Sequence, residues 1–353
     1  MKNIAIFQSD LRVGGIQKSI INLLSNLDES EYDIDLFVFD ESEFFAQNFG
    51  KNVHVMRLPR APIAVKYLPF SLAYKLYTPN IDLEKEYDVA VDFNSFWHEC
   101  AIGAGKVNAK KRVMWLHSDI RVKRQVEFRY KVNWALSRGK FKYFDELVAV
   151  SRGVRDSFYP CAPKKYADMK ISVIGNYIDT EEIQRRSREE VDFNPSPDEV
   201  NFISVGRLSY EKGYDILIDS FAEACKRRDD IHLYLVGDGD ERESLEDRCR
   251  SLGVTGKITF LGKKSNPFPY EAKCDVFVLT SRYEGQPLVL EEASCVGLPV
   301  IISENLVPYT EGREGSADVA EAICKCEKAE LRPDRLCEYN RKIKEGIGAL
   351  FSV

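Results

Sequence analysis

The chain has 353 residues, of which 44 % are hydrophobic and 30 % charged. At roughly 100 to 200 residues per domain this length predicts two domains, and the balance excludes a disordered, collagenous or disulfide-scaffold protein. The formal charge of −6 argues against a dedicated nucleic-acid binder, but it conceals an asymmetry. Residues 1–180 hold 26 Lys and Arg against 22 Asp and Glu, whereas the remainder holds 24 against 34.

The nine cysteines are scattered without a Cys-x-x-Cys pair and read as buried hydrophobic residues of a reducing compartment. Cys324 and Cys326 stand too close together for an ordinary metal clip, and no metal is expected. The apolar run at 4–7 stops at Gln8, Ser9 and Asp10, too short for a signal peptide, and no run approaches the ~20 apolar residues of a membrane span. A cytoplasmic location with at most peripheral membrane contact is expected.

Short apolar runs bounded by turn residues predict strands at 3–8, 34–39, 53–58, 89–93, 112–116, 147–150 and 171–174. Amphipathic stretches lie between them, such as 15–27 with Ile16, Ile20, Leu23, Leu24 and Leu27 at helical spacing. A polar segment with Asn194-Pro195-Ser196-Pro197 then reads as a linker or loose helix at 181–199. The alternation resumes with strands at 201–205, 232–236, 258–261, 276–279 and 299–303. The expected architecture is α/β, two Rossmann-like domains facing across a cleft, at 1–180 and 200–334, followed by a helix in 335–353. In such sheets ligands bind beyond the carboxyl ends of the strands, so the loops there hold the candidate chemistry.

After the first strand, Gly14 and Gly15 open a helix whose free amides suit an anion, although a plain turn would use glycine too. His117, in Trp115-Leu116-His117-Ser118-Asp119, is the only histidine of the chain that ends a predicted strand; His54, His98 and His232 read as structural strand or edge residues. In the second half, Gly206-Arg207-Leu208-Ser209-Tyr210-Glu211-Lys212-Gly213 sets a planar fork and a point charge five residues apart, suited to a diphosphate. Gly237-Asp238-Gly239 lacks the third glycine of a dinucleotide fingerprint, because Arg242 stands there, which argues against a nicotinamide dehydrogenase. Glu284-Gly285-Gln286-Pro287-Leu288 leads into a helix with Pro287 in its first turn, and Glu292 follows eight residues after Glu284. Carboxylates so placed accept hydrogen bonds from vicinal hydroxyls of a sugar or ribose.

Residues 106–142 carry twelve Lys or Arg against Asp119 and Glu127, interleaved with Trp115, Phe128, Tyr130, Trp134 and Phe141. Together with 61–77, where Val65, Tyr67, Leu68, Phe70, Leu72 and Tyr74 accompany Lys66 and Lys75, this stretch is expected to meet an anionic membrane surface, with a nucleic-acid groove or a solvated helix face as the alternatives.

In this order the loops resemble the retaining, nucleotide-sugar-dependent GT-B glycosyltransferases of family 4, in their bacterial capsule and surface-polysaccharide branch. The likeness runs from residue 1 to about 303 and includes 258–262 with Asn266-Pro267, similar to the family's nucleoside-side loop. It implies that the first domain takes the acceptor, the second the donor, and that the last helix crosses back onto the first domain. It further implies that Arg207 and Lys212 hold the diphosphate, Glu284 the donor sugar and Glu292 the ribose. It also implies that Gly14, Gly15, Gly206, Gly237, Gly262, Gly285, Gln286, Pro287 and Leu288 line the donor site, and that His117 lies near the reacting carbon. No cofactor is implied beyond the nucleotide-sugar co-substrate, with a UDP-sugar expected from family usage, and the acceptor would be a lipid-linked or oligosaccharide hydroxyl at the inner membrane face. A sugar-nucleotide epimerase of the same architecture, or a non-catalytic sugar-nucleotide-binding subunit, remain alternatives. After Ser303 the short polar segment 304–316 departs from the family's glycine-rich loop.

Overall fold

The computed structural model describes residues 1–12, 14–40, 49–328, 330–334 and 336–352. They form two compact units, residues 1–177 with 338–353 and residues 178–337. Both are parallel sheets flanked by helices.

The first unit is built on β1 (Lys2–Gln8), β2 (Tyr32–Val38), β3 (Val53–Arg57), β4 (Glu86–Asp92), β5 (Asn108–Leu116), β6 (Glu146–Ala149) and β7 (Ile171–Val173), in the order β3-β2-β1-β4-β5-β6-β7. The central strands are apolar on both faces, as parallel strands covered by crossover helices must be: Ile4, Ile34 and Val89, paired across three strands, are fully buried. The order reverses between β1 and β4, so the loops that follow these two strands diverge and leave a crevice. The final helix, Cys337–Leu350, belongs to this unit; it buries Ile343, Ile347 and Leu350, and Tyr339 donates to the Asn176 carbonyl at 2.8 Å.

The second unit has β8 (Val200–Val205), β9 (Ile231–Val236), β10 (Ile258–Gly262), β11 (Val276–Leu279) and β12 (Val300–Ile302), ordered β10-β9-β8-β11-β12. Its reversal falls between β8 and β11. Phe202 of β8 and Phe221 of the helix Tyr214–Cys225 are fully buried edge-to-face at 5.9 Å, and burying such a ring contributes roughly 1.5–3 kcal/mol.

Three expectations are refined. The stretch 181–199 is packed into the second unit: Asp179 caps a helix at Thr180–Ser187, and Phe193 is buried edge-on to Tyr234 at 4.9 Å. His98 is no strand residue but opens the buried helix His98–Lys106, because its ring finds the Leu68 carbonyl at 3.2 Å. Of the cysteines, Cys337 is exposed, and Cys161, Cys225, Cys324 and Cys326 are only half-buried.

Candidate functional site

The reversal in the second unit explains which side chains meet there. The loop after β8 and the loop after β11 rise side by side, so Lys212 from the first reaches Glu284 in the second, Nζ to Oε1 at 2.7 Å. The lysine stem passes over Gly206, where a Cβ would lie 3.9 Å from Cδ and Cε. Two further contacts hold this pair in place. Gly213 adopts a left-handed φ of 63° against the Thr280 carbonyl, which a side chain would strike, and the Thr280 hydroxyl donates to the Gly213 carbonyl at 2.9 Å. Arg282 grips Asp215 with both terminal nitrogens, at 2.8 and 2.6 Å, donates from its backbone to the Glu211 carbonyl, and stacks on Tyr210 at 4.1 Å. The guanidinium holds the Asp215 carboxyl below the usual range. Sequence reasoning passed over Arg282 and Asp215; the only signal was a cation inside the Glu284 loop, with no indication of which acid it meets.

Arg207 is exposed and its side chain makes no hydrogen bond or ion pair with a described residue. Gly237 closes the same corner: at φ 145° it lies so near the Gly206 carbonyl that a Cβ would collide with it, while its amide donates to the Gly262 carbonyl at 3.0 Å. The Gly-x-Gly pattern here thus serves close packing of strand-end loops. Gly285, Gln286 and Pro287 precede the helix Leu288–Val296, on which Glu292 is 5 % exposed. Asn266, expected in the nucleoside-side loop, is engaged within its own unit. Its amide donates to the Arg186 carbonyl and to Glu189, at 2.9 and 2.7 Å, and its oxygen caps the turn after Pro267, so the side chain is occupied within the scaffold.

The segment after Ser303 is short but tied down. Ser303 and Ser316 form a parallel bridge, Asn305 donates to the carbonyls of Ser281 and Arg282, and Arg313 reaches Glu291 at 2.6 Å and Ser294 at 2.9 Å. It braces the loop that carries Glu284 and the helix that carries Glu292.

In the first unit the crevice at the reversal is a cavity of about 340 Å³. Ser9, Asp10 and Gln17 line one side, Asn94 to Trp97 another, and His117, Tyr130 and Lys140 the rest. Gly14 precedes and Gly15 opens the helix Gly15–Leu24 beside it, while Val13 lies outside the described residues. His117 Nε2 lies 2.8 Å from the Phe93 carbonyl, which can only accept, so Nε2 carries the proton and Nδ1 is the acceptor. Burial pushes this imidazole down to about 4, keeping it neutral. The second unit thus gathers Gly206, Lys212, Glu284 and Gly237, whereas His117, Gly14 and Gly15 belong to the first.

The basic stretch 106–142 is not the uniform surface that its composition suggests. Trp115, Trp134, Phe141 and Lys140 are buried, Lys110 pairs with Asp88, and Lys111 pairs with Glu146. Its exposed part includes Val126, Phe128 and Val132 beside Arg121, Arg129 and Lys131, together with Lys110, Arg138 and Lys142. In 61–77, Ile63, Tyr67, Leu72 and Leu76 are exposed. Among the described residues no helix is long and apolar enough to cross a membrane.

Residues 13–182 match the Glycosyltransferase Family 4 model, and residues 186–311 match the Glycosyl transferases group 1 model. The chain is 34 % identical over 146 residues to the lipopolysaccharide core biosynthesis glycosyltransferase LpsE of Rhizobium meliloti (strain 1021), a match that covers 41 % of each chain. The matched segment therefore spans about two fifths of that relative. The chain is 24 % identical over 310 residues to an uncharacterized glycosyltransferase of Haemophilus influenzae (strain Rd), covering 85 % of this chain and 80 % of that one. The crystal structure of Anabaena HepE in complex with UDP-glucose has a TM-score of 0.62 at 17 % identity, covering 99 % of this chain and all of that one, a likeness of fold. With two parallel-sheet units and a glycosyltransferase family match on each, the chain is a homologue of glycosyltransferases of the GT-B fold.

Proposed function

We propose that the chain moves a sugar from a nucleotide-sugar, a UDP-sugar, to a hydroxyl of a lipid-linked or oligosaccharide acceptor in surface glycan synthesis, with retention of anomeric configuration. The observation that carries this reading is the meeting of Lys212 and Glu284 over Gly206 at the strand-order reversal of the second unit. A cation and a carboxylate 2.7 Å apart match a ligand that bears a diphosphate next to a polyhydroxylated ring. In this reading Lys212 and Arg207 take the diphosphate, Glu284 accepts from donor-sugar hydroxyls and Glu292 from the ribose. The amides of Gly285, Gln286 and Leu288 face sugar or phosphate at the helix start.

In the step itself the bond between the anomeric carbon and the phosphate oxygen breaks and a bond to the acceptor oxygen forms on the same face. The acceptor proton passes to the departing phosphate oxygen. Lys212 and Arg207 stabilise the charge that develops on the diphosphate, a role in which fixed cations act without reorganising. His117, neutral and half-buried, offers Nδ1 as a hydrogen-bond acceptor on the acceptor side.

A location at the inner face of the cell membrane is part of the proposal, supported by Phe128, Val126 and Val132 beside Arg121, Arg129 and Lys131, and by the exposed apolar residues of 61–77. A thermal-shift panel of UDP-, GDP- and ADP-sugars tests the donor assignment. A UDP-sugar is expected to stabilise the chain and to lose that effect in Lys212→Ala; no shift with any nucleotide-sugar would overturn it. Isomerisation of the donor without an acceptor would point to an epimerase instead.

A further inference from the structure

Lys140 lies within the basic stretch but faces inward, on a turn of 3-10 helix at Arg138–Tyr143, and is 3 % exposed. A buried ammonium needs a reason, since desolvation alone opposes it. Its Nζ donates to the Ser95 carbonyl, on the wall of the cavity that holds His117. Ser95 is one of two non-glycine residues with positive φ among those described, at 55°, and a residue held there requires its surroundings to over-determine it. From the other side, Oδ1 of the fully buried Asp92 accepts from the amides of Asn94 and Ser95, at 3.1 and 2.9 Å. Its Oδ2 has no hydrogen-bond partner among the described residues. Lys140 and Asp92 thus grip one short turn from opposite ends, each favouring the other's charged form. Inside that turn lies Phe93, whose carbonyl takes the His117 proton.

We propose that Lys140 is a positioning residue for His117: with Asp92 it clamps the 92–97 turn, so that the Phe93 carbonyl holds the imidazole as the Nε2–H tautomer with Nδ1 toward the cavity. The importance of that tautomer for catalysis rests on the glycosyl-transfer reading, but the clamp itself does not. The titratable groups facing Lys140 are Asp92 on β4 and His98 and Cys100 on the helix His98–Lys106, with Glu99 of that helix acting on Asp92. Asp10, Lys123, Glu127 and Tyr130 complete the cavity wall and are left in place by the test.

The test is 15N NMR of the four histidines in the full chain without any substrate, with His117→Gln assigning the signal. In the native chain His117 is expected as a pure Nε2–H tautomer that protonates at about 4. Lys140→Met is expected to release the turn and mix the tautomers, with His232 of the second unit unchanged. Lys140→Arg, which keeps a buried donor, is expected to preserve the native signal. Loss of a nearby charge alone would shift the midpoint without mixing tautomers, so a shift without mixing overturns the proposal, as does an unchanged His117 in a folded Lys140→Met chain. Should that variant fail to fold, Asp92→Asn with Lys140→Met removes both buried charges together, and the same tautomer readout decides. Because no donor or acceptor is present, a failure here leaves the donor assignment of the second unit standing, and the converse also holds.

Discussion

The two units solve the same topological problem with opposite electrostatics. Each opens a crevice where strand order reverses, at β1/β4 in the first and β8/β11 in the second. In the second, the groups at the crevice are charged and partly or fully accessible: Arg207 is exposed, and Lys212 and Glu284 are half-buried and paired. In the first they are desolvated: Asp92 is raised to about 6 by burial, Lys140 lowered to about 8, and His117 held near 4. Accessible opposite charges suit a multiply charged, hydroxyl-rich ligand that brings its own hydration. A desolvated crevice suits a neutral group that must be placed accurately.

The comparison is broken most directly by Lys212→Ala. If the second crevice works through that charge, turnover should fall by about 10²–10³-fold while circular dichroism stays native. Near-normal turnover would remove the contrast altogether.

The first crevice is tested next by acid. A histidine protonated at 6.5 when unfolded but only at about 4 when folded leaves the unfolded chain holding the extra proton in between. Stability therefore falls as pH drops from 6.5 to 4, by up to about 3 kcal/mol for His117. Buried His98, also near 4, acts in the same sense. Asp92 opposes them, since its folded carboxyl keeps its proton up to about 6 and stability from it falls as pH rises from 3.8 to 6. His117→Gln should flatten the acid limb of urea midpoints measured between pH 4 and 7, and an unaltered limb would show that the site is wet.

Gly237→Ala sharpens the role of backbone packing in the second unit. It forces a Cβ into the Gly206 carbonyl at φ 145°, and a loss of about 1–3 kcal/mol is expected in chemical denaturation. The smallest effect on stability belongs to Phe128→Ser, within about 0.5 kcal/mol because the ring is 78 % exposed. The same change should weaken sedimentation with anionic phospholipid vesicles, and undiminished binding would remove Phe128 from the proposed membrane face.

Much of this layout was legible in the chain. All twelve described strands overlap the predicted apolar runs, most closely at the centre of each sheet, where a parallel strand buried on both faces must be apolar throughout, whereas β3 and the start of β5 are largely or partly exposed. The loops with Lys212, Glu284 and His117 could be read because strand-end position is a one-dimensional property. The interior use of Lys140 could not, since a cation on a basic stretch looks the same whether it points to water or to the Ser95 carbonyl. For a related reason the motif at Asn266 was visible, but its hydrogen bonds to Arg186 and Glu189 were not.

The sequence by itself determined two α/β units, the alternation that builds them and the loops at their strand ends, because periodicity and punctuation act over a few residues. Only the tertiary structure decided which groups meet: Lys212 with Glu284, Arg282 with Asp215, and Lys140 with the turn that orients His117. Those pairings span 72, 67 and 45 residues, and what sets them is the order of strands in a sheet, which no local pattern encodes.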